Sequence, residues 1–218
     1  MSQDTRVAAG PHRDKLGQWL MLLTLLAVVI VLDQGTKRWA WRHVSSAEIN
    51  AGGDVLVGRT VGGWYADRVT GALLDLLDFG LLSIAVPILV RRRRPAAVVV
   101  SGALMLGGWS SNLLDRLGMH YWTAPGSIRG AVDFIHVGGA NYNVADFFVV
   151  GATPLFLLAV GYQSWGATNG SATVRAVAPA TRNRQRARAS MLALAGAGLI
   201  AVALGAADYG GVRIAPHV

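Results

Sequence analysis

Four stretches of this chain carry no charged side chain for long enough to cross a lipid bilayer. They are residues 16–32 (17 residues), 95–114 (20), 147–174 (28) and 189–207 (19). A hydrocarbon core needs roughly 20 residues at helical rise, and no other element of that length keeps its backbone polar groups satisfied in lipid. A further segment is shorter, with 12 uncharged residues between Asp78 and Arg91. A spanning helix there has to begin near Ala72 and carry Asp75 and Asp78 in its first turns. The spacing therefore predicts an all-α polytopic membrane protein, with a four-helix core at about 16–32, 72–90, 96–117 and 145–163. A fifth helix is expected at 190–207. Composition agrees: 15% of the residues are charged, against about 25% in soluble globular proteins. Cysteine is absent, which removes thiol nucleophiles and thiolate metal sites. A cleaved secretory signal is a poor reading of the first helix, because its apolar run exceeds the usual 7–15 residues and no A-x-A-like site follows.

Charge sets the expected orientation. Arg91, Arg92, Arg93 and Arg94 lie between the second and third helices, and Arg175, Arg182, Arg184, Arg186 and Arg188 between the fourth and fifth. Basic loops stay cytoplasmic. That places the tail 1–15 and the linker 166–189 inside, and the segment 38–70 and the tail 208–218 outside. The inner side then holds 12 basic and 2 acidic residues (+10) and the outer side 8 and 10 (−2), which recovers the net +8. Lys37, Arg38 and Arg42 oppose the rule locally and are outvoted. The arginine clusters read as topology signals and anionic-lipid contacts, not as a nucleic-acid surface, since no stacking aromatics are interleaved.

The remaining polar residues gather at the outer ends of the helices: Asp33, Asp75, Asp78, Asn112, Asp115, Arg116, Asp133, Asn143 and Asp146. Ionisable groups at membrane depth are costly and mark sites or pathways. Asn112 and Arg116 are four apart on one helix face, and Asn143 and Asp146 are three apart at a helix start. Two aspartates brought together in a partly dry site cannot both ionise, and such a pair suits water activation. The plainer alternatives are an Asp115–Arg116 ion pair, a helix-start charge at Asp146 and a cap at Asn143. An ion or proton pathway is a third reading, weakened because the acids keep to one face. His120, His136 and Asp133 lack the spacing of a helical metal site, and no GxSxG elbow is present.

Four motifs, in order, resemble the lipoprotein signal peptidases, or signal peptidase II. They are Asp33-Gln34-Gly35-Thr36-Lys37, Asn112-Leu113-Leu114-Asp115-Arg116, Val132-Asp133-Phe134 and Tyr142-Asn143-Val144-Ala145-Asp146. The family shows D-Q-x-[ST]-K, G-N-x-x-D-R, V-D-F and F-N-x-A-D at similar separations, so the resemblance covers roughly residues 17–165. It implies a membrane aspartic endopeptidase of the bacterial plasma membrane. Such an enzyme cuts prolipoproteins before a diacylglyceryl-modified cysteine, without metal or cofactor. Asp133 and Asp146 would be the catalytic pair. Asn112, Arg116 and Asn143 would orient substrate and carboxylates, with Asp33 and Lys37 as supporting residues and Asp115 structural. Prolipoprotein substrates and membrane lipids are the implied partners of a monomeric, N-in protein whose site faces outward.

The family also places a small extracellular β-rich cradle between the first two helices. Here Gly52–Trp64 (GGDVLVGRTVGGW) is expected to supply short strands. The family's N-x-G-x-A-F stretch reads Val69-Thr70-Gly71-Ala72-Leu73-Leu74, which keeps the glycine and loses the asparagine. Ser111 replaces a glycine and Tyr142 a phenylalanine, and the fifth helix is an addition. A non-catalytic protein that binds lipidated peptides is the alternative these departures raise. Trp109, Tyr121 and Trp122 read either as substrate-lining residues or as interfacial belt aromatics.

Overall fold

A computed structural model describes residues 11–52 and 54–169; the expected fifth helix and the basic linker lie outside the described residues. Among the described residues four helices are long and apolar enough to cross a membrane: α1 (Pro11–His43), α3 (Arg68–Val90), α4 (Ala96–Leu114, which continues to Thr123) and α6 (Val144–Asn169). Each coincides with a charge-poor segment.

The centre of the bundle is α4, the most buried of the four. Three glycines seat its neighbours. A Cβ at Gly102 would meet Leu89 of α3, one at Gly107 would meet Val29 of α1, and one at Gly108 would meet the Ala145 carbonyl of α6. Lipid offers no hydrophobic drive between helices, so close approach at small residues is what lets them pack. The Ala103/Gly107 spacing lies on this contact. Leu22, Leu26, Leu89, Val90, Val98, Val99, Ala103 and Leu106 form the main apolar core. It lies toward the end of the bundle where Arg91–Arg94 turn between α3 and α4 and where Gln18 donates to the Arg92 carbonyl.

The opposite end carries the polar residues and differs from expectation in three places. First, α1 does not stop near residue 32 but runs on to His43. The loss of apolar character marks where hydrocarbon ends, whereas the helix itself continues through Thr-Lys-Arg-Trp. Second, Gly52–Trp64 is not β-structure. Residues Asp54–Ala66 form helix α2, and Val57, Val61, Trp64 and Tyr65 fall at the i, i+4, i+7, i+8 spacing of a helical stripe. Asp67 then caps α3, accepting from the Val69 and Thr70 N–H groups at 3.1 and 2.8 Å. These backbone donors hold its carboxyl below the usual range. Third, α4 widens into a π-helical turn at Asp115–Met119, where Gly118 takes a φ of 126°, before the short helix α5 (His120–Thr123).

Among the described residues the β-structure consists of four short strands. Strand β1 (Glu48–Asn50) pairs antiparallel with β2 (Ala131–Asp133), with Glu48 opposite Asp133 and Asn50 opposite Ala131. Strands β3 (Ile135–Val137) and β4 (Ala140–Tyr142) form a hairpin. Its two turn residues, Gly138 and Gly139, both have positive φ (58° and 86°), the geometry of a type I′ turn. Ala47, Ile49, Ala124 and Val132 make a small apolar core under the strands, with Trp41, Val44 and Phe134 against it.

Candidate active site

The start of α6 organises the site. Asn143 precedes the helix and Asp146 is its third residue, and the two cap each other. The Asn143 N–H donates to Asp146 Oδ2 (2.9 Å) and the Asp146 N–H donates to Asn143 Oδ1 (3.1 Å). This is the reciprocal logic of a capping box, with an aspartate in the acidic position. The Ala145 N–H, otherwise orphaned in the first helical turn, donates to Asp33 Oδ1 at 2.7 Å.

Asn143 also reaches the other candidate carboxylate. Its side-chain Nδ2 donates to Asp133 Oδ1 at 2.6 Å, so one residue bonds to both Asp133 and Asp146. Asp146 Oδ1 accepts from Asn112 Nδ2 (2.8 Å), and Asp133 Oδ2 accepts from Asn50 Nδ2 (2.8 Å). Both carboxylates are buried. Burial first, and then the neighbouring Asp146 charge, push the Asp133 carboxyl well above the usual carboxylate range, against the opposing effects of Asn50, Lys37 and Asn143.

Behind the pair lies a fully buried lysine. The Lys37 Nζ contacts Asp33 Oδ2 (2.5 Å), Asn112 Oδ1 (2.6 Å) and Asp115 Oδ2 (2.7 Å). An ammonium has three N–H donors, and here three acceptors face it. Asp33 Oδ2 also accepts from the Ser111 hydroxyl (2.8 Å), to which Gln34 Nε2 donates (3.0 Å). Lys37 thus holds Asn112 in place, and Asn112 holds Asp146.

Of the expected site residues, Asp33, Lys37, Asn112, Asp133, Asn143 and Asp146 fall in one connected network. Asp115 belongs to it but does not pair with Arg116. Its carboxylate meets Lys37 and, at 3.1 Å, the Thr123 hydroxyl, because successive helical residues point to different sides. The Arg116 guanidinium lies 5.0 Å from the centre of the Tyr65 ring, within cation–π range. It adjoins a second cluster. There, Arg129 pairs with Asp75 through Nη2 and Nε (3.1 Å for Nε) and donates to the Tyr65 carbonyl (2.7 Å), and the Tyr65 hydroxyl donates to Asp78 (2.7 Å). Burial, and then the Asp78 carboxylate, push the Tyr65 hydroxyl up, so it stays a donor. The motif pattern did not point to Asn50, Tyr65, Thr123 or Arg129. Arg129 and Thr123 lie near motifs in the chain and Asn50 and Tyr65 far from them, and none carries a sequence signal beyond its polarity.

The family model described as "Signal peptidase (SPase) II" matches residues 25–161, well over half of the chain. The chain belongs to the signal peptidase II family. The matched span contains every residue of the network: it runs from before Asp33 to beyond Asp146. The lipoprotein signal peptidase of Acinetobacter baumannii strain ATCC 17978 is 31% identical over 160 residues, which cover 64% of this chain and 82% of that protein. Those of strains SDF and AB307-0294 match to the same extent. As a signal peptidase II, the chain is a membrane aspartic peptidase, and the buried network at the start of α6 is its candidate active site.

Proposed function

We propose that this chain removes signal peptides from membrane prolipoproteins, cutting the peptide bond before a diacylglyceryl-modified cysteine with Asp133 and Asp146 as the catalytic pair. The observation that carries this reading is the double contact of Asn143, which bonds to both carboxylates. Two buried acids so placed share a proton near neutral pH and titrate as a pair. The ionised member takes a proton from water, and the resulting hydroxide adds to the scissile carbonyl carbon. The protonated member donates to the carbonyl oxygen as it gains charge. Collapse of the tetrahedral intermediate breaks the C–N bond, and the cysteine's amine leaves with the proton taken from water.

The arginine turn at 91–94 is read as cytoplasmic, which puts the N-terminus inside and the carboxylate pair at the extracytoplasmic end. The substrate's acyl chains then lie against the lipid-facing helices while its peptide reaches the pair. The enzyme acts as a monomer. The alternative of a non-catalytic binder drew on the lost asparagine at Val69. The donor that Asn50 supplies to Asp133 favours the peptidase.

The test is turnover of a diacylated lipobox peptide by Asp133→Asn and Asp146→Asn, each reconstituted in lipid. Each variant is expected to lose at least about 10³-fold in rate while keeping a cooperative thermal transition. Full processing by both sinks the reading. Because the chain has no cysteine, H43C and R92C report orientation directly. An impermeant thiol reagent added outside intact cells is expected to label the first and spare the second.

A further inference from the structure

We propose that Asn50 is a positioning residue for the reaction, its side-chain amide fixing the carboxylate of Asp133 from the side opposite Asn143. The inference rests on the peptidase reading above. Asp133 has two carboxylate oxygens, and each meets a different amide. Oδ1 accepts from Asn143 at 2.6 Å and Oδ2 from Asn50 at 2.8 Å. Held at both oxygens, the carboxylate is restrained from rotating about its Cβ–Cγ bond, which fixes the directions of its remaining lone pairs.

The orientation of the Asn50 amide is itself determined. Its Oδ1 accepts from the Gly52 N–H at 3.1 Å, so the NH₂ group has to face Asp133. The β1–β2 register provides the reach. Glu48 is opposite Asp133 and Asn50 opposite Ala131, which makes Asn50 the diagonal neighbour of Asp133 on one face of the ladder. Close approach of the strands depends on Gly130, where a Cβ would run into the Ile49 side chain and the Asn50 carbonyl.

The position before α3 where the family pattern has asparagine supplies no side-chain donor in this chain. Val69, which stands where the family pattern has asparagine, is 68% exposed, whereas Gly71 is retained because a Cβ there would strike the Tyr65 carbonyl and the Arg129 guanidinium. A donor to the acid pair comes instead from β1, across a sequence separation of 83 residues.

Charged and titratable groups that act on Asp133 are Asp146 from α6 and Lys37 from α1, with Glu48 opposite it in the ladder. None of these is altered by changing Asn50. A donor to a carboxylate favours its ionised form, so losing that donor makes the pair hold its proton to higher pH.

The experiment compares Asn50→Ala, Asn50→Ser and Asn50→Leu with the unmodified chain, using the diacylated peptide in liposomes. Asn50→Ala is expected to lower kcat about 10- to 100-fold, the scale of one hydrogen bond to a charged group, with KM changed less than about twofold. Its pH–rate profile is expected to move to higher pH. Asn50→Ser keeps a hydroxyl donor and should recover part of kcat, and Asn50→Leu, which keeps the shape but offers no donor, should not. If Asn50→Ala does not fold, the contrast between Asn50→Ser and Asn50→Leu carries the test alone. Wild-type kcat and an unmoved pH profile in Asn50→Leu would overturn the proposal. Asp133→Asn separates the two levels: if it is inactive while Asn50 variants are normal, only the role of Asn50 fails. If Asp133→Asn is itself fully active, the peptidase reading fails.

Discussion

Two polar clusters sit side by side at one end of the bundle, built from the same residue types and satisfied very differently. Around Lys37, the three ammonium donors meet three acceptors, and Asp33, Ser111, Asn112, Asp115 and Thr123 are joined by contacts of 2.5–3.1 Å. Around Tyr65, Arg129 is 26% exposed, and both Asp75 Oδ1 and Arg116 Nε are buried without a hydrogen-bond partner among the described residues. The first cluster satisfies its ammonium fully, leaving Gln34 Oε1 at its edge without a partner among the described residues, and supports the carboxylate pair through Asn112. The second leaves bonding capacity unused beside the site. Burial of charge is therefore not itself what sets the proposed reacting centre apart; what distinguishes it is a pair of acids, both bonded by one residue, Asn143.

The contrast breaks most sharply at Lys37. Lys37→Met leaves two fully buried carboxylates facing each other with no cation, and loss of one partner of a buried pair costs about 3–5 kcal/mol. A large fall in the thermal midpoint in detergent is expected, together with loss of turnover. Arg129→Met removes the corresponding cation of the second cluster. Since Arg129 is partly exposed and Asp75 already has one unpartnered oxygen, the loss should be smaller, about 1–2 kcal/mol after allowance for screening. Equal destabilisation by the two variants would erase the distinction. Tyr65→Phe deletes one hydroxyl donor to Asp78 and is expected to cost about 1 kcal/mol, read from the same melts, with turnover retained.

The smallest effect concerns pH. The Asp133 carboxyl is raised in the folded protein, so the folded state binds a proton where the unfolded chain has released it. The stability this contributes is fully present below the ordinary carboxylate range and is lost as pH rises through the raised value. Melting points measured across that window should decline with pH in the unmodified chain, and the decline should shrink in Asp133→Asn. An unchanged slope would remove Asp133 from the titrating pair.

How much of this was legible in the sequence depended on distance along the chain. Three of the four long helices follow from charge-free windows and α3 from a shorter one, because hydrocarbon tolerates no long interruption. Their ends were harder to read. Asp33 and Lys37 stood as the close of the first helix, yet α1 carries them in its interior and continues to His43. Asn143 and Asp146, three residues apart, declared their shared helix start. The stretch Gly52–Trp64 misled because glycine and valine suggested strands, whereas its apolar spacing was helical. The Gly138-Gly139 turn was readable by its dipeptide and went unassigned. The Asn50–Asp133 contact was beyond reach, since only the β1–β2 register joins residues so far apart.

The length of α1 sets a depth. Asp33 lies ten residues below His43, about 15 Å at helical rise, and its bond to the Ala145 N–H ties the first turn of α6 to that level. The carboxylate pair therefore sits some three helical turns beneath the tip of α1. On the proposed peptidase reading, a peptide held in the bilayer reaches this level along the helices, and water is the reactant that has to be brought to it, so its supply becomes part of the chemistry.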